Sequence, residues 1–289
     1  MRIDGKEIAN EILENLKVRV KKLNEKDIVP YIAIVLIGDD PASKAYVRQK
    51  ELKSTEIGAK STAVFLDSDV SNEKLLSLID RFNQEPQIHG IIVQRPVPLQ
   101  IDEEAISLAV IPEKDIDGFH PDSLFSTPIW EAVLKILERV MNDCSPANEL
   151  NADRQPALRQ WLSSKKIIVI GKGQTGGGPI KEGFQKLGIE PHVVDSKTKN
   201  SKEILKKADI IISAVGKSNI IKPEMVKDKA ILISVGMYKG EDGKLHGDYN
   251  VEEIKDIVSF YTPVPGGVGP VNAACLLENL VLSAENLLR

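Results

Sequence analysis

Three residues with reactive or polar side chains share one face of a predicted helix. Ser43, Tyr46 and Lys50 occupy positions i, i+3 and i+7 of a helix predicted over about 42–57. Tyr46 and Lys50 are one turn apart, about 6 Å along the axis. The ring could therefore stack on an aromatic or heterocyclic substrate while the amine exchanges protons, which a lysine does best when desolvation lowers its pKa. The same spacing is also typical of the solvated face of an amphipathic helix.

Two further polar residues follow predicted elements of the first half. Gln94 ends a strand predicted over 89–94, and α/β proteins place ligands at the carboxyl ends of parallel strands. Gln94 could hold Lys50 together with a substrate carbonyl, or it could simply cap the strand. Asp117, in an Asp-Ile-Asp-Gly turn, could accept hydrogen bonds from an amino-pyrimidine ring. Asp115 in the same turn could serve only to form the turn.

A glycine-rich turn opens the second half of the chain. A predicted strand runs into this turn and then into a helix, over residues 166–187. Gly171, Gly173 and Gly176–Gly178 would let the backbone approach a pyrophosphate at the helix N-terminus. Asp195 lies 24 positions after Gly171, near the usual spacing for a ribose-binding acid. The alternative is a tight turn that needs glycine only for positive φ.

The elements that must position these residues alternate along the chain. Short β-branched runs and helical patterns follow one another, which indicates parallel sheets with crossover helices. Helices are predicted over 5–23, 42–57, 73–82, 103–108, 128–141, a stretch ending near 187, and 271–288. Strands are predicted over 31–37, 61–66, 89–94, 166–170, 191–194, 210–213 and 230–234. The polar stretch 142–159 predicts a surface loop and a domain junction.

Composition excludes several classes of protein. The 289 residues suggest about two domains. Hydrophobic residues make up 42% and charged residues 28%, which excludes disordered and fibrous proteins. A net charge of −4 excludes a global basic field for nucleic acids. The N-terminus has no apolar signal region, and no run approaches the ~18 apolar residues of a membrane span, so we expect a cytoplasmic, soluble protein. Cys144 and Cys275 lack ligand spacing and His89 and His120 are interpreted as structural, so no metal site is predicted.

Six stretches together match the motifs of one known family. They are residues 38–50, 89–98, 112–121, 242–248, 262–270 and 276–279. They include a Ser-x-x-Tyr-x-x-x-Lys motif, a Val-Gln-x-Pro-x-Pro motif and a Pro-Val-Pro-Gly-Gly-Val-Gly-Pro loop. Because these stretches extend over nearly the whole chain, the chain resembles the bifunctional methylenetetrahydrofolate dehydrogenase/cyclohydrolase family.

The resemblance implies a fold and an assembly. It implies an α/β protein with a folate domain over residues 1–121 and a Rossmann-type NAD(P)-binding domain over 122–268. The C-terminal helix, within 269–289, would return to the folate domain. The resemblance also implies a homodimer that binds tetrahydrofolate derivatives.

The resemblance also implies roles for individual residues. Lys50 would be the cyclohydrolase acid/base, Tyr46 would orient the pterin, Gln94 would tune the lysine, and Asp117 would hold the pteridine. The implied substrate-binding set is Ser43, Tyr46, Val93, Pro96, Pro265, Gly266 and Gly267. The implied cofactor-binding set is Gly171, Lys172, Gly173, Gly177, Asp195, Ser196, Lys197, Val215, Gly216 and Met237.

The implied activity has two steps, in one-carbon metabolism that supplies purine biosynthesis. 5,10-Methylenetetrahydrofolate would give a hydride to NAD(P)+, and the resulting 5,10-methenyltetrahydrofolate would be hydrolysed to 10-formyltetrahydrofolate. NADP is the family's usual cofactor, whereas Asp195 could favour NAD by repelling a 2′-phosphate. Two rivals remain: another two-domain Rossmann dehydrogenase of the shikimate type, and a catalytically silent dinucleotide-binding protein.

The chain departs from the family pattern mainly on the cofactor side. Lys172 and Gly173 replace an Arg-Ser pair, and Asp195 replaces a histidine. Ser234 stands where an aspartate is typical, and Asn272 where a threonine is typical. The connection 121–128 is shortened and the stretch 142–162 looks like an insertion.

Overall fold

The computed structural model describes residues 1–144 and 154–287. The chain divides into two compact units. One unit, which we call the three-stranded unit, consists of Asn10–Pro128 and Ala273–Arg289. The other, the five-stranded unit, consists of Met1–Ala9 and Ile129–Asn272. The domain bounds expected from the sequence, at 121/122 and 268/269, stay a prediction.

The helices and strands alternate over the described residues. In the first half they are α1 (Gly5–Asn24), β1 (Tyr31–Ile37), α2 (Pro41–Glu56), β2 (Lys60–Leu66), α3 (Asn72–Gln84), β3 (Gly90–Val93), α4 (Glu103–Ala109) and α5 (Pro128–Cys144). In the second half they are α6 (Arg154–Ser163), β4 (Ile167–Ile170), α7 (Gly177–Lys186), β5 (His192–Val194), α8 (Ser201–Leu205), β6 (Ile210–Ser213), β7 (Ile231–Ser234), β8 (Met237–Lys239), β9 (Leu245–Gly247), α9 (Val251–Ile254), β10 (Phe260–Tyr261) and α10 (Val268–Asn286). A 3₁₀ turn covers Pro223–Met225.

The sheet of the three-stranded unit is parallel, in the order β2-β1-β3. Its central strand β1 is apolar at almost every position and buried on both faces, as expected for a parallel sheet covered by helices. Val93, at the end of β3, packs in the apolar core with side chains of β1 and α3. This sheet brings the ends of β1 and β3 to one edge.

The sheet of the five-stranded unit is also parallel, in the order β10-β7-β6-β4-β5. The direction in which successive strands are added reverses between β4 and β6. In open α/β sheets, ligands bind outside the carboxyl ends of the strands at this point of reversal. Gly171 follows β4 and Ala214 follows β6, so the glycine-rich turn lies at the expected place. The predicted α/β class with a Rossmann-type second half is confirmed.

The predicted surface loop over 142–159 is partly wrong. Residues 142–144 belong to α5, and α6 begins at residue 154; residues 145–153 lie outside the described residues. Leu158 and Leu162 are one helical turn apart and buried, with 3% and 0% exposure. Two apolar positions are enough to fix a helix against the core, but they are too few to show a period in a polar sequence.

Several short elements were not predicted from the sequence. These are α8, α9, β8, β9 and β10, none longer than five residues. A strand of two or three residues cannot show an alternating pattern, so tertiary packing defines it. Helix α10 begins at Val268, three residues before its predicted start.

Candidate functional site

Helix α2 places the first three candidate residues. Asp40 caps the helix, since its Oδ2 accepts a hydrogen bond from the Ser43 N–H at 2.7 Å. Ser43 is buried, whereas Tyr46 is 42% exposed and Lys50 is half-buried. Because the ring of Tyr46 remains accessible to solvent, it is available for a ligand.

Lys50 and Gln94 are joined by a hydrogen bond. Lys50 Nζ donates to Gln94 Oε1 at 2.9 Å. Gln94 follows β3, and its N–H donates to the Val35 carbonyl at 2.8 Å, which continues the strand pairing. Its side-chain Nε2 donates to the Arg95 carbonyl at 2.7 Å. The backbone carbonyl therefore sets the orientation of the amide, and the acceptor end of Gln94 faces the amine.

The charges of Lys50 and Asp117 are coupled. Burial lowers the pKa of Lys50, and the nearby Asp117 carboxylate opposes this shift. Burial raises the pKa of Asp117, and the positive charges of Lys50 and Arg95 oppose that shift. Both changes bring the two pKa values closer together. The pair therefore supports a lysine that exchanges protons with a substrate, rather than a permanent surface cation.

The turn that carries Asp117 is held by the buried residue Asp115. Asp115 is 4% exposed, and its Oδ2 accepts a hydrogen bond from the His120 N–H at 2.7 Å. Burial raises the pKa of Asp115 to about 6. Gly118 has a φ of +72°, which a residue with a side chain rarely adopts. The interpretation of Asp115 as a turn-forming residue agrees with these contacts.

The C-terminal helix supports the same turn. Asn279, on α10, donates hydrogen bonds to the carbonyls of Ile116 and Ser126, each at 2.9 Å. Ser283 Oγ, one turn later, donates to the His89 carbonyl at 2.6 Å. A buried amide that satisfies two backbone carbonyls is costly to replace. Asn279 therefore holds the turn in place, and its only signal in the sequence is its position in the stretch 276–279 that resembles the family.

The remaining substrate-binding candidates of the three-stranded unit differ in exposure. Val93 is 6% exposed and lies in the apolar core, whereas Pro96 is exposed. The peptide bond between Arg95 and Pro96 is cis. The structure thus brings together Lys50, Gln94 and the Asp117 turn, and places Val93 beneath them as part of the core.

In the five-stranded unit, the glycine-rich turn packs closely against backbone at Gly171 and Gly177. A Cβ on Gly177 would lie 2.0 Å from the Gly171 carbonyl oxygen, and a Cβ on Gly171 would lie 2.9 Å from the Ala214 carbonyl oxygen. Gly171 also has a φ of +94°. A Cβ on Gly173 would instead meet nothing within 4 Å. Gly171 and Gly177 are therefore required by packing, and Gly173 leaves open space where a phosphate could approach the N-terminus of α7.

Asp195 follows β5 and is paired with a lysine of the glycine-rich turn. Its carboxylate forms a 2.8 Å ion pair with Lys172 and accepts hydrogen bonds from the Lys197 N–H and the Thr198 hydroxyl. These contacts, with the Lys172 hydrogen bond first among them, lower the pKa of Asp195 to about 2. Lys172 is 70% exposed, so solvent screens this pair. Ser196 and Lys197 are exposed beside it.

A buried carboxylate, which sequence reasoning missed, holds the loop after β6. Asp248 is fully buried and accepts hydrogen bonds from Ser213 Oγ at 2.6 Å, the Val215 N–H at 3.1 Å and the Lys217 N–H at 2.9 Å. Gly216 lies within this loop with a φ of +68°. In the sequence, Asp248 is marked only as the last residue of the stretch 242–248, because the groups that hydrogen-bond to it lie about 30 residues earlier.

Two of the cofactor-binding candidates, Gly216 and Met237, are neighbours. A Cβ on Gly216 would lie 3.0 Å from the Met237 carbonyl oxygen. Ser234, where the family typically has aspartate, donates to the Gly236 carbonyl and accepts from the Asp248 N–H, both at 3.1 Å. The serine hydroxyl thus satisfies two backbone groups beside Asp248 without adding a second negative charge.

The loop 262–267 also belongs to the five-stranded unit, where it packs against the first residues of the chain. Gly5 N–H donates to the Gly266 carbonyl at 2.9 Å, and a Cβ on Gly5 would lie 1.8 Å from the Gly267 carbonyl oxygen. Gly266 has a φ of +99°, and Pro265 is exposed after a cis peptide bond. The contact explains why a glycine is needed at position 5, which sequence reasoning missed.

Two findings concern only the residues that the structure describes. None of the helices there is both long enough and apolar enough to cross a membrane. Within the same residues, no group of three or more His, Cys, Asp or Glu side chains is arranged to hold a metal ion. His89 Nδ1 instead accepts a hydrogen bond from the Tyr31 N–H, and His120 Nδ1 accepts one from the Asp122 N–H.

The fold and the turn at the point of strand-order reversal define a two-domain α/β protein of the dinucleotide-binding class. Two family models match the chain. "Tetrahydrofolate dehydrogenase/cyclohydrolase, catalytic domain" matches residues 3–117, and "Tetrahydrofolate dehydrogenase/cyclohydrolase, NAD(P)-binding domain" matches residues 156–288. The chain belongs to the tetrahydrofolate dehydrogenase/cyclohydrolase family.

Curated relatives and solved structures agree with this assignment. The chain is 43% identical over 283 residues to "Bifunctional protein FolD" of Lactococcus lactis subsp. lactis, covering 98% of this chain and 96% of the relative. The crystal structure of the bifunctional FolD enzyme from Campylobacter jejuni has a TM-score of 0.90 at 35% identity, with 99% of each chain covered. The FolD structure from Trypanosoma brucei, complexed with NADP cofactor and inhibitor, has a TM-score of 0.85 at 27% identity, covering 100% of this chain and 98% of that chain. The predicted bifunctional dehydrogenase and cyclohydrolase is confirmed over its two rivals.

Proposed function

We propose that Lys50, Tyr46, Gln94 and Asp117 carry the folate chemistry of this enzyme. The observation that supports this proposal most is the chain of contacts from Lys50 Nζ through the Gln94 amide to the Arg95 carbonyl, with Asp117 coupled to the amine. The exposed ring of Tyr46 stacks on the pterin, and the carboxylate of Asp117 accepts hydrogen bonds from the amino-pyrimidine ring. Ser43 and Pro96 border the ligand, and Val93 supports it from the core.

Lys50 acts in the hydrolytic step. Water adds to the methenyl carbon, and ring opening then yields 10-formyltetrahydrofolate, so a proton must leave the water and another must reach the departing nitrogen. Burial lowers the pKa of Lys50, which makes the neutral amine available to accept the first proton. Gln94 accepts one N–H of the amine and so restrains its orientation. The oxidative step needs no general base, because the lone pairs of the folate nitrogens stabilise the developing cation.

The residues of the glycine-rich turn fit NADP. When bound, NADP+ supplies the hydride acceptor for the oxidative step. Gly171, Gly173 and Gly177 would admit the pyrophosphate to the N-terminus of α7, and Lys172, Asp195, Ser196 and Lys197 would surround the ribose and its 2′-phosphate. Val215, Gly216 and Met237 would hold the nicotinamide half. Pro265, Gly266 and Gly267 belong to the substrate-binding set that the family resemblance implies.

An absorbance assay with 5,10-methylenetetrahydrofolate tests the proposed function. NADP+ and NAD+ are supplied in separate reactions, and the methenyl intermediate and the reduced cofactor are followed together. We expect turnover with NADP+ and onward hydrolysis of the intermediate. If the purified protein turns over methylenetetrahydrofolate with neither cofactor, the proposal is wrong.

We also infer that the chain forms a homodimer in the cytoplasm and that its formyl product supplies purine biosynthesis. The family resemblance supports these inferences. Light scattering of the purified protein tests the homodimer. A monomeric mass at all protein concentrations across the micromolar range would contradict it.

A further inference from the structure

Arg95 occupies the first unspecified position of the Val-Gln-x-Pro-x-Pro motif, and its side chain is held in place. The side chain is 11% exposed. It forms an ion pair with Glu103 and donates to Ser107 Oγ at 2.8 Å, and both partners lie on α4. A planar guanidinium with two partners on one helix has little freedom to move.

The guanidinium of Arg95 also contacts the turn that carries Asp117. Its central carbon lies 4.4 Å from the centroid of the Phe119 ring, within cation–π range. Phe119 is two residues after Asp117. Arg95 therefore connects α4 and the end of β3 to the Asp117 turn through its side chain, while its carbonyl orients Gln94.

Two positively charged groups act on Asp117, and two carboxyl groups lie near them. Lys50 contributes from α2 and Arg95 from the end of β3, and both favour the ionised carboxylate against the cost of burial. Asp115, on the same turn, is a second carboxyl group, and its pKa is itself raised by Asp117. Glu103, half-exposed beside Arg95, offsets part of the arginine charge.

This inference rests on the proposed role of Asp117 in folate binding. We propose that Arg95 is a positioning residue of the folate site, which holds the Asp117 turn through Phe119 and supplies Asp117 with a second positive charge besides Lys50. The carboxylate thereby remains a hydrogen-bond acceptor for the amino-pyrimidine N–H groups of the substrate. Loss of the arginine charge weakens folate binding even where the fold is retained.

The first test is a carbon-detected NMR titration of the Asp117 carboxyl group in the ligand-free protein, assigned with Asp117→Asn. In Arg95→Met, which keeps an apolar contact with Phe119, the pKa of Asp117 should rise. Arg95→Lys should restore it toward the parent, and Glu103→Gln should lower it. If Arg95→Met folds and Asp117 titrates as in the parent, the proposal is overturned.

The second test compares binding of tetrahydrofolate and of NADP+ by calorimetry. Arg95→Met should lose about tenfold in tetrahydrofolate affinity and keep its NADP+ affinity, whereas Arg95→Lys should lose less. Arg81→Met, at an exposed arginine of α3, is the matched control and should change neither. Equal losses for both ligands in Arg95→Met would mean a general structural role and overturn the proposal. If the parent binds no tetrahydrofolate, the proposed function fails, while the titration still decides whether Arg95 acts on Asp117.

Discussion

The candidate sites of the two units are built from different parts of the chain. In the three-stranded unit, charged and polar side chains form the candidate site, and burial moves the pKa values of Lys50 and Asp117 toward each other. In the five-stranded unit, the backbone forms most of the site, because Gly171 and Gly177 allow two chain segments to touch. We therefore expect the first site to be sensitive to the charge of its side chains. We expect the second site to be sensitive to a methyl group added at Gly171 or Gly177.

Removal of the Lys50 amine should have the largest effect and would test the side-chain half of this contrast. Lys50→Met should slow hydrolysis of methenyltetrahydrofolate by about 10²–10⁴-fold, the usual range for a general acid–base group. Hydride transfer should stay measurable, because it needs no proton shuttle. Decay of the methenyl absorbance measures the first rate. Lys44→Met, at an exposed lysine of the same helix, is the control, and hydrolysis at the parental rate in Lys50→Met would refute the role.

One methyl group should be enough to break the backbone site. Gly177→Ala places a Cβ 2.0 Å from the Gly171 carbonyl oxygen, so the turn must open, and we expect NADP+ affinity to fall by about a hundredfold, about 2.7 kcal/mol. Gly173→Ala meets no atom within 4 Å and is the matched control for folding. Calorimetry gives the affinities and thermal unfolding gives the stabilities. A Gly177→Ala protein with parental affinity would contradict the packing argument.

Two aspartates should respond to pH with opposite signs. Burial raises the pKa of Asp115 to about 6 from its usual value of 3.8. The stability contributed by the protonated carboxyl group is therefore fully present below pH ~4, and the free energy of unfolding decreases by about 3 kcal/mol as the pH rises through 6. Asp115→Asn should remove this dependence while keeping an acceptor for His120. Asp195 has a lowered pKa of about 2, so its contribution is present above pH ~4 and is lost as the pH falls. Denaturant unfolding at pH 4.5 and 7.5 measures the Asp115 effect; identical pH slopes in parent and Asp115→Asn would exclude it.

Asp117→Asn should separate folate binding from cofactor binding. The amide keeps one acceptor oxygen but turns an NH2 donor toward the second donor of the amino-pyrimidine ring, so tetrahydrofolate affinity should fall about tenfold, and NADP+ affinity should stay the same. Binding titrations with each ligand measure the difference. Equal losses for both ligands would count against a contact with the pteridine.

Asp195→Ser should have the smallest effect and would sharpen the description of the cofactor site. Removal of the carboxylate frees Lys172 from its ion pair, so the preference for NADP+ over NAD+ should increase by a few-fold, as expected for an exposed pair. The ratio of kcat/KM values for the two cofactors measures this preference. An unchanged ratio would show that Asp195 does not reach the ribose.

Much of the fold could be predicted from the sequence because the central strands are almost uninterrupted apolar runs. Strands such as β1 and β4 are buried on both faces, and the glycine-rich turn follows β4 where an α/β sheet should bind a nucleotide. Lys50 and Gln94 are 44 residues apart, and the position of Gln94 at the end of a predicted strand together with the family resemblance predicted that they meet; the structure shows their hydrogen bond.

The parts that could not be predicted depend on contacts between distant segments. Asp248 accepts hydrogen bonds from backbone groups about 30 residues before it, and Asn279 donates to the Ile116 carbonyl across 163 residues. Position 5 must be glycine because the Gly267 carbonyl leaves no room for a Cβ. Each of these residues has an ordinary local sequence. Their roles appear only when the partner is known, since neither propensity nor periodicity carries information about a contact at such separation.

The hydrogen bond from Gln94 to the Arg95 carbonyl has a consequence for replacements at position 95. A main-chain carbonyl is present whatever the side chain, so replacements at position 95 leave the orientation of the amide to Lys50 intact. The same replacements change the charge next to Asp117. A change at position 95 therefore alters the contact with Phe119 and the charge next to Asp117, while the backbone carbonyl that orients the Gln94 amide toward Lys50 is retained.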